Sequence, residues 1–311
     1  MDFRRLAALV AVADHGSFSA AARALHTVQS NISTHVARLE SELGVELIDR
    51  KTGDLTRAGH TVLDRARRIQ SEIEALEHDV ASLSDEIVGR VRLGMIGTTA
   101  RWLGAHILAE ASQRHPKVTL VIHDGTTSAL LPRLLSDDLD LCALNLPIQS
   151  PDVATDPLFQ EDTILVVPGE HELAGRTEVG LAELADHPLL LAAPGNALRD
   201  QLDAAARLAG VDLTAKAEID GLRLIASLAF GGYGAAILPA SAATGSPAGD
   251  WVSVDIVDRV RRSVGIARRK RARLSAPATA IAGLLVDVVA ERSPLHDGIQ
   301  PARPGTMASS I

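Results

Sequence analysis

Residues 16–43 read GSFSAAARALHTVQSNISTHVARLESEL, and this stretch decides what the N-terminal part of the chain is. Gly16 interrupts an upstream helix implied by Phe3, Leu6, Val10 and Ala13, which recur at helical spacing. Ser17 is placed to cap the next helix, which carries Phe18, Ala21, Ala22 and Leu25 on one face. The two alanines let another helix approach closely. His26 and Thr27 make a short turn. A third helix then sets Val28, Ile32, Val36, Leu39 and Leu43 inward and Gln29, Ser30, Ser33, Thr34 and Arg38 outward, and Gly44 ends it.

Two short helices, a tight turn and a second helix with a small polar outer face match helix-turn-helix geometry. That face suits the major groove: Gln pairs bidentately with adenine, Ser and Thr bond bases or phosphates, and Arg38 reaches a phosphate. From residue pattern alone, a small helical bundle with a solvated face fits equally. Residues 45–48 read as a short strand. Residues 50–56 then read as a tight hairpin with Arg50 and Lys51 near its tip, either a wing that touches the minor groove or flanking phosphates or an ordinary polar turn.

These positions resemble a known family. Phe3, Gly16-Ser17-Phe18-Ser19-Ala20-Ala21, Leu25, Gln29, Ser33, Leu39-Glu40, Leu43-Gly44, Leu47, Arg50, Leu55-Thr56 and Ala58-Gly59 are similar, in order, to the winged helix-turn-helix of LysR-type transcriptional regulators. Ser30 stands where the family usually has Pro, and Ile48 where Phe is usual. The wing is about two residues short and lacks an additional arginine common there. The resemblance implies DNA binding through Gln29, Ser30, Ser33, Thr34, Arg38, Arg50 and Lys51.

Between Gly59 and Gly89 there is no Gly or Pro, and apolar residues fall at Val62, Ala66, Ile69, Ile73, Leu76, Val80, Leu83 and Ile87. Alternating steps of four and three make a 3.5-residue repeat, the condition for a coiled-coil seam. Such a helix, about 45 Å long, needs a partner for its stripe. Either its own domain or a second copy supplies one, and the resemblance implies the second copy, as a homodimer or homotetramer.

From Arg90 onward strand-like and helix-like segments alternate. That pattern argues for mostly parallel sheets covered by helices, with a change of lobe near Pro168 and the polar residues 169–180. Val91-Arg92-Leu93-Gly94, Gly125, Leu139-Asp140-Leu141, the 168–174 segment and Gly232-Tyr233-Gly234 through Leu238-Pro239 also match the family's effector domain, which looks like periplasmic solute-binding proteins. The resemblance implies an effector in the cleft between two lobes. Ligands of open α/β sheets sit beyond strand carboxyl ends, near helix N-termini. Thr98, Thr99, Thr126, Asn145, Pro194 and Gly195 occupy such places and suit a carboxylate or another small polar group. Helix capping is the alternative for each.

Composition narrows the remaining classes. The 311 residues suggest about two domains. The single cysteine, Cys142, removes disulfide frameworks and cysteine-based zinc sites and fits a reducing compartment. Residues 1–68 carry 10 Lys and Arg against 8 Asp and Glu, and the remainder 21 against 31. An acidic chain with a mildly basic head does not coat nucleic acid, yet a local patch still binds it. Arg4-Arg5 before residues 6–13 is too short for a signal peptide, and Arg223, the glycines and Pro239 argue against a span over 222–242. The eleven histidines are scattered, His171-Glu172 does not complete a metal motif, and no nucleophile elbow or phosphate loop occurs. The basic run 268–273 reads as a solvated loop.

The expected fold class is therefore α+β multidomain. Residues 1–59 form a winged helix-turn-helix and 60–89 a linker and dimerisation helix. Residues 90–292 form a two-lobed α/β effector domain, with lobe 1 at about 91–164 and 266–292 and lobe 2 at about 165–265. Residues 293–311 form a disordered tail. The expected function is a cytoplasmic, non-enzymatic, sequence-specific regulator with no cofactor. Its partners would be double-stranded promoter DNA, a small-molecule effector, its own second copy and RNA polymerase, and no membrane. The alternative is a cytoplasmic small-molecule-binding protein or enzyme with a helical appendage.

Overall fold

A computed structural model of the chain describes residues 1–81, 87–245, 249–258, 260–271 and 273–302. Its contacts divide it into two units, residues 1–84 with 136–138 and the remainder.

The first unit starts with α1 (Phe3–His15), α2 (Phe18–Ala24) and α3 (Gln29–Leu43). Each boundary has a local cause. Asp2 caps α1 by accepting from the Arg5 N–H, and Ser17 caps α2 by accepting from Ala20. Gly16 and Gly44 end α1 and α3 with φ of 70°, a conformation that costs glycine little. Ala21 and Ala22 are buried between α1 and α3, beside Leu9, Ile32, Val36 and Leu39. Two of the inward assignments for α3 need correction. Val28 is the residue before the helix and Leu43 its last, and both are exposed because the core stops short of the helix ends.

The expected strand at 45–48 is reduced to one bridge between Ile48 and Leu55. The Glu40 carboxylate accepts from the N–H groups of Leu47 and Ile48, at 2.8 and 3.2 Å, and so holds the chain leaving α3. The next helix, α4 (Arg57–Ala81), starts before the expected linker boundary, because Leu63 and Ala66 complete the head's core. Gly59 lies inside it. A Cβ there would come within 2.0 Å of the Leu47 carbonyl oxygen, so only glycine permits this approach of α4 to the wing turn. Further along, Ile69, Leu76 and Val80 are exposed, and Leu83 falls outside the described residues.

The second unit holds two sheets. Its elements are β1 (Gly89–Ile96), α5 (Gly97–Arg114), β2 (Val118–Gly125), α6 (Thr127–Leu135), β3 (Leu141–Leu146), β4 (Val153–Pro168), β5 (Glu178–Val179), α7 (Leu181–Leu184), β6 (Leu189–Ala192), α8 (Ala197–Leu208), β7 (Ala215–Ile219), α9 (Leu222–Phe230), β8 (Ala235–Pro239), β9 (Trp251–Ile256), β10 (Arg261–Arg269), α10 (Ala276–Arg292) and β11 (Ile299–Pro301). The first sheet runs β2-β1-β3-β10-β4, and the second contains β9-β4-β8-β6-β7, so β4 belongs to both. It pairs with β10 up to Asp162, then with β8 and β9 from Thr163 onward.

Three expectations change here. The sheets are mixed, not mostly parallel. Every antiparallel pair involves β4 or β10, the strands nearest the passage from one lobe to the other. β4 changes sheets near residue 162, and all of β10 lies in the first sheet, so lobe 2 ends before Arg261 and not at about 265. Residues 293–302 are ordered: β11 pairs antiparallel with β4, and Ile299 is buried in the first lobe's core. Of the basic run 268–273, Arg268 and Arg269 are strand residues.

Each lobe has its own core. Trp102 and Phe159 meet edge to face, 5.1 Å between ring centres, in the first. Phe230 and Trp251 do so at 4.7 Å in the second. No helix among the described residues is long and apolar enough to cross a membrane. The stretch 222–242 folds instead as α9, β8 and a short 3-10 turn.

Candidate DNA-reading face and effector cleft

In the first unit, α3 buries Ile32, Val36 and Leu39 and turns its opposite side outward. Gln29, Ser30, Ser33, Thr34 and Arg38 are all exposed there. Thr34 donates its hydroxyl proton to the Ser30 carbonyl at 2.8 Å, which leaves its oxygen as an acceptor. Asn31 is exposed on the same helix and its amide donates to the Thr27 hydroxyl at 2.9 Å, a polar neighbour that the sequence reading passed over. Arg50 and Lys51 are exposed at the wing turn. The Asp49 carboxylate shapes that turn by accepting from the N–H groups of Lys51 and Thr52, at 2.7 and 3.3 Å.

In the second unit a cleft of about 760 Å³ lies between the lobes. Its geometry follows from strand direction. β1, β2, β6 and β7 each end at the cleft, and the next helix in each case, α5, α6, α8 or α9, starts there. Four helix N-termini therefore face one space, with their unpaired N–H groups and partial positive charge. Thr98, Thr126, Asn145, Pro194 and Gly195 all line it. Thr99 does not. One residue further along α5 is a rotation of about 100°, which turns Thr99 into the core, fully buried with an unpaired hydroxyl.

Some of these side chains also cap helices. Thr126 accepts from the Ala129 N–H and shares a 2.9 Å hydrogen bond with Ser128. Asn196 accepts from Leu198. Gly195 takes φ of 86° at the lip, which the turn into α8 requires. The Asn145 side-chain oxygen is buried without a hydrogen-bond partner.

Two ionic features of the cleft were not identified from sequence. Arg223, at the start of α9, pairs with Asp124, at the end of β2, and so joins the two lobes. Its stem packs against Gly97. Arg101 lies over the Phe230 ring at 5.5 Å, a second contact between lobes. On the cleft floor Arg262 is 2% exposed and paired with Glu161, which is fully buried. The Arg262 Nη2 also donates to the Thr98 hydroxyl at 2.7 Å and to the Ser241 hydroxyl at 3.4 Å. The other Glu161 oxygen accepts from the Ser241 N–H at 2.7 Å. No composition signal marks Arg262, which is one arginine among many between 259 and 273.

Cys142 is buried on β3, and burial pushes its thiol up to about 12. No group of three His, Cys, Asp or Glu among the described residues is arranged to hold a metal ion.

Residues 3–60 match the bacterial regulatory helix-turn-helix of the lysR family, and residues 84–290 match the LysR substrate binding domain. The chain belongs to the LysR-type transcriptional regulators. This LysR-type regulator is 35% identical over 266 residues to the probable hydrogen peroxide-inducible genes activator of Mycobacterium leprae, covering 85% of this chain and 82% of that one. Its fold is similar to a full-length OxyR cysteine variant from Pseudomonas aeruginosa, with a TM-score of 0.77, 25% identity and coverage of 98% and 99%. It is also similar to full-length CbnR complexed with its target DNA, with a TM-score of 0.69, 26% identity and coverage of 94% and 99%. LysR-type regulators bind promoter DNA and small-molecule effectors.

Proposed function

We propose that two copies of this regulator pair through the open stripe of α4 and present two α3 faces to successive major grooves, with a small-molecule effector in the lobe cleft. The observation that carries the DNA assignment is the face of α3. Gln29, Ser30, Ser33, Thr34 and Arg38 lie exposed on a helix whose other side is locked in a core. Arg50 and Lys51 add phosphate contacts from the wing. An effector acts only by binding two quaternary arrangements with different affinity.

The test is an electrophoretic shift with the DNA upstream of its own gene. Gln29→Ala and Ser33→Ala are each expected to cost about 1–3 kcal/mol and to relax specificity at one base position. Arg38→Ala is expected to weaken all sequences alike and to lower the salt slope by about one. Unchanged site-specific shifts in Ser33→Ala and Arg38→Ala together would remove α3 as the reading helix.

The cleft is assigned to effector binding through Thr98, Thr126, Asn145, Pro194 and Gly195, with a carboxylate or another small polar group as the ligand. Arg223 and Arg262 are held in ion pairs, and hydroxyls, an amide and backbone N–H groups complete the lining. That suits binding better than catalysis, and we assign no enzymatic role and a cytoplasmic location beside promoter DNA.

The peroxide named for the Mycobacterium relative has no thiol route here. The reactive species is the thiolate, and the one cysteine is buried with its thiol pushed up to about 12. Folded protein treated with millimolar hydrogen peroxide at pH 8 is expected to keep Cys142 unmodified by mass spectrometry and its DNA affinity unchanged. Rapid oxidation of Cys142 that alters DNA binding would overturn this reading.

A further inference from the structure

We propose that Arg262 selects the ligand of the cleft by offering its free guanidinium edge to an anionic carboxylate oxygen, and that Glu161 sets how strongly it does so. The inference rests on the cleft as the effector site and adds the chemical class of the ligand and the residue that recognises it.

Arg262 is an unusual residue for a core, since arginine is almost never fully buried unless paired. Its pairing is one-sided. Nε and Nη2 both go to the same Glu161 oxygen, and Nη2 also reaches Thr98 and Ser241. Nη1 makes no hydrogen bond among the described residues, and the residue lines the cleft. Nη1 is not one of the buried unpaired polar atoms, so it faces the open cleft, where its two N–H groups can donate to an incoming oxygen. Thr98 accepts from Arg262 with its oxygen, so its own hydroxyl proton is free to point elsewhere. Together they form a two-donor floor.

The charges around the floor decide between ligand classes. The N-termini of α5, α6 and α8 face the same space, and their dipoles favour negative charge. Against them stand Asp124, Asp200 and Asp220. Asp124 is engaged by Arg223, and Asp200 and Asp220 are exposed at the rim, where water and salt screen them. Arg262 sits where screening is weak, so the floor is anion-seeking although the cleft as a whole is not basic.

The position of the group also couples ligand to lobe geometry. Thr98 opens α5 of the first lobe, Glu161 and Arg262 lie where β4 and β10 leave it, and Ser241 follows β8 of the second. An oxygen bound to Arg262 therefore touches the network that joins the lobes.

Because Glu161 compensates Arg262, removing the carboxylate has a directional consequence. Glu161→Gln keeps the shape and one acceptor but leaves the guanidinium charge to the ligand. A merely structural role for the pair predicts lower stability and nothing more.

The experiment uses the full-length chain and reads thermal stability against sodium acetate and sodium succinate, sodium chloride at matched ionic strength, and acetamide and succinamide as neutral counterparts. Wild type is expected to rise in Tm with the carboxylates over both controls. Glu161→Gln is expected to start lower and to rise further, with a midpoint at least about tenfold lower in carboxylate. Arg262→Gln is expected to lose the carboxylate response. Where a single variant does not fold, the double variant Glu161→Gln/Arg262→Gln, which buries no net charge, takes its place and is expected to show no carboxylate response. The proposal is overturned by equal responses to carboxylates and amides, or by a Glu161→Gln response no greater than wild type. Thr126→Val separates the two readings: amide binding that Thr126→Val abolishes and Arg262→Gln spares keeps the cleft and removes the anion. A carboxylate response indifferent to both substitutions removes the cleft itself.

Discussion

Full-length chain carrying Leu76→Asp and Val80→Asp is expected to sediment as a single copy at micromolar concentration and to bind promoter DNA about 100-fold or more weakly. Both residues are exposed on α4, more than half of each side chain facing solvent in one copy, and with Ile69 they continue the stripe whose earlier members, Val62 and Ala66, pack in the head. A stripe of this kind is left open because its partner is another chain. Aspartate at solvent-facing helix positions changes the isolated helix little, but two carboxylates from each copy put four like charges into a dry seam. The folded head should survive, with helix content near wild type by circular dichroism. A single recognition helix reads only a few base pairs, so loss of pairing removes the second half-site and with it most specific affinity. Sedimentation equilibrium and an electrophoretic shift measure the two effects. A double variant that stays dimeric places the pairing surface elsewhere.

The second large effect lies on the cleft floor. Arg262→Met removes the partner of a fully buried carboxylate and is expected to cost about 3–5 kcal/mol, because the Glu161 charge is left with little besides the Ser241 N–H. For a domain of this size that lowers Tm by about 10 °C. Glu161→Met/Arg262→Met removes both charges and fills similar volume, so it should recover most of the loss. The shortfall from additivity across this cycle measures the coupling of the pair. Scanning calorimetry of the four proteins checks it, and a single variant within about 2 °C of wild type would show that the pair is not sealed from water as the structure has it.

The two sites differ in how far they could be read from the chain. The α3 face was legible because a helix repeats every 3.6 residues and its two sides are written within 15 consecutive positions. The same periodicity misled at the ends, where Val28 and Leu43 keep the spacing but lie beyond the packed core. The cleft was legible in part. Thr98, Thr126, Asn145, Pro194 and Gly195 follow strand ends, and the general placement of ligands at such ends points to them. Thr99 shares that context and was separable only by its rotation about α5.

Arg262 and Glu161 lie 101 positions apart and meet because β4 and β10 pair antiparallel at the lobe junction. No local pattern encodes that meeting. The switch of β4 from one sheet to the other at residues 162–163 is likewise a matter of which distant strands lie beside it, β10 before that point and β8 and β9 after it.

What the chain alone settled is what depends on neighbours within about one helical turn or one strand step: the three head helices with the Ser17 cap and the glycine ends at 16 and 44, the stripe of α4 and the alternation of strands and helices that makes an α/β body. Only the folded molecule decided which groups share the cleft, which arginine is buried on its floor and which carboxylate holds it. Periodicity is a property of short segments, whereas the partner of a buried charge is chosen by where distant strands come to lie side by side.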